Sequence, residues 1–273
     1  MTMPSSGQEP PHLDPSELGT KEYWNALYTR ELTNHASNTT DIGTVWFDDS
    51  DAEAKMVHFL NQLPDQHDDD AFSKETTSFL DLGCGNGSML FTLRENGWSG
   101  QALGVDYSPQ SVQLARQVCV AKAEEVAQSG GEVLPPVRFA EWDIMNGSYE
   151  TVRAHKTGSE LETHEAWDIV LDKGTFDAVS LSEERTESGR RLCEVYPERV
   201  LPLLRKGGLF LITSCNWTED ELTKWFAVGS RDGEDGSSRE EGRFVPAGRV
   251  QYRTFSFGGV KGQTISTLCF RKV

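Results

Sequence analysis

The sequence predicts an α/β fold: a Rossmann-like, seven-stranded, mostly parallel sheet with helices on both faces and a C-terminal antiparallel hairpin. Three observations carry that expectation. Short apolar runs alternate with helix-spaced segments from residue 78 onward. A glycine-rich turn, Asp81-Leu82-Gly83-Cys84-Gly85-Asn86-Gly87, joins the first run to a helix. Later runs close on acids, at Asp106, Asp143 and Asp172.

The elements follow in order. Residues 21–32 and 52–63 have helical spacing and precede the first strand, 78–82. The helix Ser88–Glu95 comes next, then a strand at 101–105 and a long helix at 109–127. Within that helix Val112, Ala115, Val118 and Cys119 share one side. Strands at 136–140 and 167–171 lead to a helical stretch at 190–204, and Lys206-Gly207-Gly208 turns it into a strand at 209–213. Thr218 with Glu221 forms a capping box for a helix at 219–227. Residues 253–257 and 264–270 alternate around a Gly-rich turn at 258–262, which predicts the terminal hairpin.

The chain has 273 residues, and the low hydrophobic fraction of 37% predicts unstructured stretches beside one core. We expect a loosely ordered tail at 1–17 and a single domain at 18–273, with an N-terminal helical cap at 18–64. Acidic or Gly/Ser-rich inserts are expected near 65–77, 147–165 and 229–249. The net charge of −17 argues against nonspecific binding to nucleic acid or anionic membranes and suits a basic protein substrate. Five scattered cysteines form no C-x-x-C pair, so neither a disulfide framework nor a metal site is expected. Reduced thiols, no signal segment and no long apolar run point to a soluble protein of the cytoplasm or nucleus.

The glycine turn carries the chemistry. Glycines at a strand-to-helix turn take positive φ without strain and let the backbone approach a ligand. A dinucleotide fingerprint reads G-x-G-x-x-G, whereas here the third glycine, Gly87, comes one residue early. Asp81, two residues before Gly83, would repel a pyrophosphate and attract a cationic amine. This spacing fits the amino-acid end of S-adenosylmethionine (SAM) better than NAD. Asp106 suits ribose hydroxyls, Tyr107 an adenine face, and Asp143 an adenine amino group, with Trp142 or Ile144 on the ring. An aspartate after a strand also serves as a helix cap, and that reading stays open for Asp143 and for Asp172 to Asp177.

The chain resembles the seven-β-strand (class I) SAM-dependent methyltransferases, and more closely the lysine methyltransferases of translation elongation factor 1-alpha. The matching residues are Gly19 to Trp24 with Tyr28, Gly43 to Phe47, the glycine loop, and Gly104 to Pro109. They continue with Asp172 to Asp177, Leu211 to Thr218 and Phe255 to Gly259. The resemblance implies SAM-dependent N-methylation of a lysine on that elongation factor by a monomeric enzyme. It implies cofactor contacts at Trp46, Asp81, Gly83, Cys84, Gly85, Gly87, Asp106, Tyr107, Ser108, Asp143, Ile144 and Asp172. It further implies that Asp172 orients the lysine beside Phe176 and Trp217, with Trp24 and Trp46 as other candidate aromatic walls. The competing readings are methylation of a small molecule or nucleic acid on the same fold, and a non-catalytic interaction protein that keeps it.

Overall fold

The computed structural model describes residues 10–64, 72–131, 134–154, 166–228, 242–253, 255–257 and 260–273. The chain opens with helices α1 (Lys21–Ser37) and α2 (Ala52–Asn61). Strand and helix then alternate: β1 (Phe79–Leu82), α3 (Ser88–Glu95), β2 (Ala102–Asp106), α4 (Pro109–Ser129), β3 (Arg138–Glu141) and β4 (Trp167–Lys173). Short helices α5 (Thr175–Ser180) and α6 (Leu192–Val200) lead to β5 (Leu204–Ser214) and α7 (Glu219–Thr223). The chain ends in β6 (Phe244–Val250), β7 (Phe255–Phe257), β8 (Val260–Gly262) and β9 (Ser266–Lys272).

Seven strands form one sheet in the order β3-β2-β1-β4-β5-β9-β6. β1 pairs in parallel with β2 on one side and with β4 on the other, so Leu82 lies level with Val105 and with Asp172. β9 runs antiparallel to both β5 and β6. The predicted antiparallel pair is present, but its members differ. The partner of β9 is β6, while β7 pairs with β8 in a separate two-stranded sheet. A local turn signal pointed to the nearest strand, and burial chose the farther one: Phe244 and Phe270 bring 2% and 0% exposed rings to the core.

Period-two alternation sorts the strand residues onto two apolar layers. Phe79, Ile169, Leu171, Leu209 and Leu211 face a layer with Tyr28 of α1, Met56 of α2, Leu90 of α3 and Leu114 of α4. Leu80, Leu82, Val170, Phe210 and Ile212 face the opposite layer, with Phe176 of α5, Tyr196 of α6 and Leu222 of α7. The helices thus cover both faces, as the pattern predicts. The capping box at α7 is present with both its bonds. The predicted long helix at 190–204 is shorter: α6 ends at Val200, and a 3₁₀ turn, Leu201–Leu203, holds Pro202 before β5.

Four loosely ordered expectations need correction where the residues are described. Residues 10–17 lie against the fold: His12 stacks on Trp225 and pairs with Glu194, and Leu13 accepts from Arg191. Phe72, expected in an acidic linker, is 5% exposed in the core. Tyr149 and Val152 pack on the core, and 244–249 belong to β6. In each case one or two apolar or aromatic residues anchor a segment whose composition reads as polar. The acidic residues at 68–70, and most of the inserts at 155–165 and 229–241, lie outside the described residues.

The N-terminal strap matters because Leu18 and Gly19 reach the site described below. Buried Arg191 ties it down, donating to the carbonyls of Leu13, Ser180 and Ser182. Gly19 sits so close to the chain after α5 that an added Cβ would lie 2.3 Å from the Leu181 carbonyl carbon. Gly19→Ala should therefore lower stability by about 1–3 kcal/mol through overpacking. Urea denaturation with an unchanged m-value measures this, and an unshifted midpoint would show that the strap is not held there.

Candidate active site

The chain builds outward from β1 to β2 and β3, then returns to the other side of β1 for β4 and β5. Such a reversal leaves a crevice at the carboxyl ends of the strands. A cavity of about 400 Å³ occupies this place, lined from Asp143 beyond β3 to Asn216 beyond β5.

The β1–β3 half has the make-up of a nucleoside site. Gly83, Gly85 and Gly87 all have positive φ, at 60°, 57° and 82°. Asp106 is 5% exposed and lines the cavity. It accepts from Gly85 N at 3.2 Å and Ser108 N at 2.9 Å, so the end of β2 and the glycine loop are locked together. Burial pushes its carboxyl upward, while bonds from Ser108, Ser111 and Gly85 pull the other way. Tyr107 lies beside it, with Lys21 Nζ 5.4 Å from its ring centre. Trp142, Asp143 and Ile144 line the wall beyond β3. Asp143 also caps its own turn, accepting from Met145 N and Asn146 Nδ2.

An overhang from the N-terminal region completes the wall. Asn86 of the glycine loop donates to the carbonyls of Ile42 and Thr44, and Glu31 of α1 accepts from Thr44 N. Lys173 at the end of β4 donates to the Trp46 carbonyl at 3.2 Å and pairs with Glu53 at 3.5 Å. These bonds place Trp46 and Phe47 in the cavity, where Trp24 meets Trp46 edge-on at 5.4 Å. Tyr28 reaches the loop itself: a Cβ on Gly85 would lie 2.7 Å from its hydroxyl. The Trp46 indole nitrogen is buried without a hydrogen-bond partner among the described residues. It is a donor left open for something else in the cavity.

The β4–β5 half departs from expectation. Asp172 does not line the cavity. It is 0% exposed and accepts from Thr175 N, Phe176 N and Tyr196 Oη, the last at 2.7 Å. Burial pushes its carboxyl up to about 7. Alternation along β4 explains this: Lys173 points to the cavity, so Asp172 turns toward α5 and α6 and closes the start of α5. The capping reading is the one the geometry fits. Phe176 and Trp217 likewise sit in the aromatic core, at 0% and 4% exposure, packed with Tyr196, Trp225 and Phe226. They form no cavity wall. The acidic groups that do face the cavity in this half are Asp177 and Glu184.

Of the other sequence-predicted residues, Gly83, Trp24 and Trp46 line the cavity, whereas Asp81, Cys84, Gly85, Gly87 and Ser108 lie behind its wall. Ser108 caps α4 through Ser111 N. Asp81 is 3% exposed, and burial above all pushes its carboxyl up to about 8 against the pull of Lys173. Sequence reasoning missed Lys21 and Cys215 as cavity residues; it set the segment Asp172 to Asp177 at the acceptor pocket as a whole, with capping by Asp177 or Thr175 as the competing reading. Tyr28, four residues after Trp24 on one helix face, carried a readable signal. Cys215 carried none.

Residues 73–234 match a family profile described as a methyltransferase domain. The protein-lysine N-methyltransferase EFM4 of Saccharomyces cerevisiae is 38% identical over 95% of this chain and 96% of its own length. EEF1A lysine methyltransferase 2 of Homo sapiens is 30% identical over 95% of this chain and 88% of its own. Among solved structures, magnesium protoporphyrin IX methyltransferase from Synechocystis PCC 6803 shares the fold, with a TM-score of 0.51 and 15% identity over 93% of this chain and 97% of that one. Identity that extends through the N-terminal overhang as well as the shared domain, on a sheet of this strand order, decides the relationship: this chain belongs to the methyltransferase-domain family, among its protein-lysine N-methyltransferases.

Proposed function

We propose that this protein transfers a methyl group from SAM to a lysine of translation elongation factor 1-alpha. One observation carries the reading. A single cavity joins a nucleoside-type half at β1–β3 to a half at β4–β5 walled by aromatic rings and a carboxylate. Relatives named for this reaction match the chain through both halves.

The residues present fit the cofactor. Asp106 offers its carboxylate to ribose hydroxyls, Tyr107 and Ile144 flank an adenine, and Asp143 can accept from its amino group. Gly83 and the loop backbone receive the amino-acid end, and the unpartnered Trp46 N–H offers a further donor. Asp81 lies behind the loop with its carboxyl raised to about 8 by burial, and an ammonium brought near it would favour its ionised form. When bound, SAM supplies a sulfonium methyl, whose bond to sulfur breaks with its electron pair staying on sulfur as the lysine nitrogen forms the new C–N bond.

The protein must present the lysine as a neutral amine. An exposed lysine has a pKa near ~10.4, so this costs roughly 4–5 kcal/mol at pH 7. Enclosure among Trp24, Trp46 and Phe47 strips water from the nitrogen and reduces that cost. Alignment in the cavity contributes the rest. The acidic surface, with a net charge of −17, favours approach of a basic protein and disfavours a nucleic-acid acceptor.

Incubation with labelled SAM and the recombinant elongation factor should place label on lysine, mapped by mass spectrometry. Bound SAM with no label on that protein would send the search to other acceptors. Asp106→Ala should weaken SAM binding at least tenfold by calorimetry, and an unchanged affinity would remove Asp106 from the ribose site. A pH effect follows from Asp81. Its folded carboxyl is raised to about 8, so its contribution to stability is fully present below about pH 4 and is lost as pH rises through 8. The melting temperature of the ligand-free protein should therefore fall from pH 5.5 to 8.5 more steeply than that of Asp81→Asn. Parallel slopes for the two proteins would count against this assignment.

A further inference from the structure

Four carboxylates line the cavity among the described residues: Asp106, Asp143, Asp177 and Glu184. The first two close β2 and follow β3, on the nucleoside side. Glu184 is exposed. Asp177 is as buried as Asp106, but it lies on the β4–β5 side, where it is the buried one of the two carboxylates and Glu184 the exposed one. It is 5% exposed, and the turn after β5 fixes it: Ser214 Oγ donates to one oxygen at 2.5 Å and Cys215 N to the other at 2.8 Å. Ser214 Oγ in turn accepts from Asn216 N and Trp217 N, so the carboxylate is held by a hydrogen-bonded turn.

Both donors to Asp177 are neutral. Among the described residues no Lys, Arg or His pairs with it. Burial pushes the carboxyl upward, against hydrogen bonds from Ser214, Cys215 and Asn216 that pull the other way. Buried carboxylates ordinarily have a cationic partner, because desolvation is otherwise uncompensated. Here the missing partner has a space in which to sit.

An aromatic ring borders the turn after β4, on the same cavity. Phe47 has φ of 65°, a left-handed conformation that bulky residues rarely adopt. Hydrogen bonds from Ser50 N and Ala52 N to its carbonyl hold it there. Its ring lies against Gly174, three residues before Asp177: a Cβ at Gly174 would be 3.2 Å from ring carbon Cε2. Such strain persists where the surroundings demand one side-chain position.

We infer that Asp177 and Phe47 form the subsite that receives the side-chain ammonium of the acceptor lysine, with Asp177 orienting the cation and Phe47 supplying a ring face. The inference rests on the lysine-methyltransfer reading above and replaces Asp172 with Asp177 in the orienting role. It also gives the site a selection rule. A neutral or anionic acceptor leaves Asp177 uncompensated, so cationic side chains are preferred.

The test compares wild type with Asp177→Asn, whose amide oxygen can still accept from Cys215 N while its NH2 donates to Ser214 Oγ. Cofactor affinity is measured by calorimetry, and kcat and KM with the elongation factor as acceptor across pH 6 to 10. Asp177→Asn should bind SAM within twofold of wild type and lose at least 50-fold in kcat/KM. The acid limb of its kcat profile should move down by roughly one to two pH units, because the bound ammonium loses the charge that stabilised it. Lys173, Glu184 and Cys215, the other ionisable side chains lining this half, are the same in both proteins. Wild-type kinetics and an unmoved pH profile in Asp177→Asn overturn the assignment alone. A wild-type protein that binds SAM but methylates no lysine on the elongation factor removes the underlying reading, and the subsite with it. Should Asp177→Asn lose cofactor binding, Phe47→Leu decides. A KM for the acceptor raised at least fivefold supports the subsite, and an unaltered KM overturns it.

Discussion

The parallel pairing of β1 with two neighbours is the constraint on which the site depends. Leu82 is level with Val105 on one side and Asp172 on the other, so three strands end at the same height. Because the chain first builds toward β3 and then returns for β4, the loops leaving these ends diverge and leave a crevice between them. Each loop then needs its own device to turn away. After β1 it is the left-handed glycines, and after β4 it is Gly174, with φ of 89°. A one-residue slip of either pairing would exchange the faces of every side chain at these ends. Lys173 and Asp172 would swap places, and the cavity would lose the group that holds its roof.

That roof shows how a few polar contacts organise an otherwise apolar site. Asn86, Glu31 and Lys173 reach the 42–46 segment from three different elements. Glu53, which pairs with Lys173, also accepts from Ser88 Oγ at 2.5 Å and so joins the roof to the start of α3. The rings they position, Trp46 and Phe47, join Trp24 and Tyr28 in the wall. Charge is placed sparingly, at the two ends of the cavity, where a ligand would need it. This is the usual economy of a small-molecule site: a mainly apolar lining with a few placed polar groups.

Much of this was legible in the chain itself. The glycine loop lies at the end of β1, and α3 spans the predicted residues. Asp106 and Asp143 stand in the cavity wall, at the end of β2 and just beyond β3. What misled was the second half of the site. Asp172 closes β4 just as Asp106 closes β2, yet a tyrosine from α6 and two amides of α5 claim its oxygens. Phe176 and Trp217 look like free aromatic walls in a linear reading, and the layer under α5 to α7 absorbs them both.

The sequence by itself determined the α/β alternation, the cofactor class and the strand ends that face it, because period, glycine placement and acid spacing are local properties of the chain. It also carried the family resemblance. Only the tertiary structure decided which acid at β4 meets the cavity, which strand pairs with β9, and which bonds hold the N-terminal segment over the site. Those outcomes depend on competition among residues far apart in sequence for one buried hydrogen bond or one apolar layer. Asp172 met Tyr196 and was consumed in the core, and that left Asp177 facing the cavity.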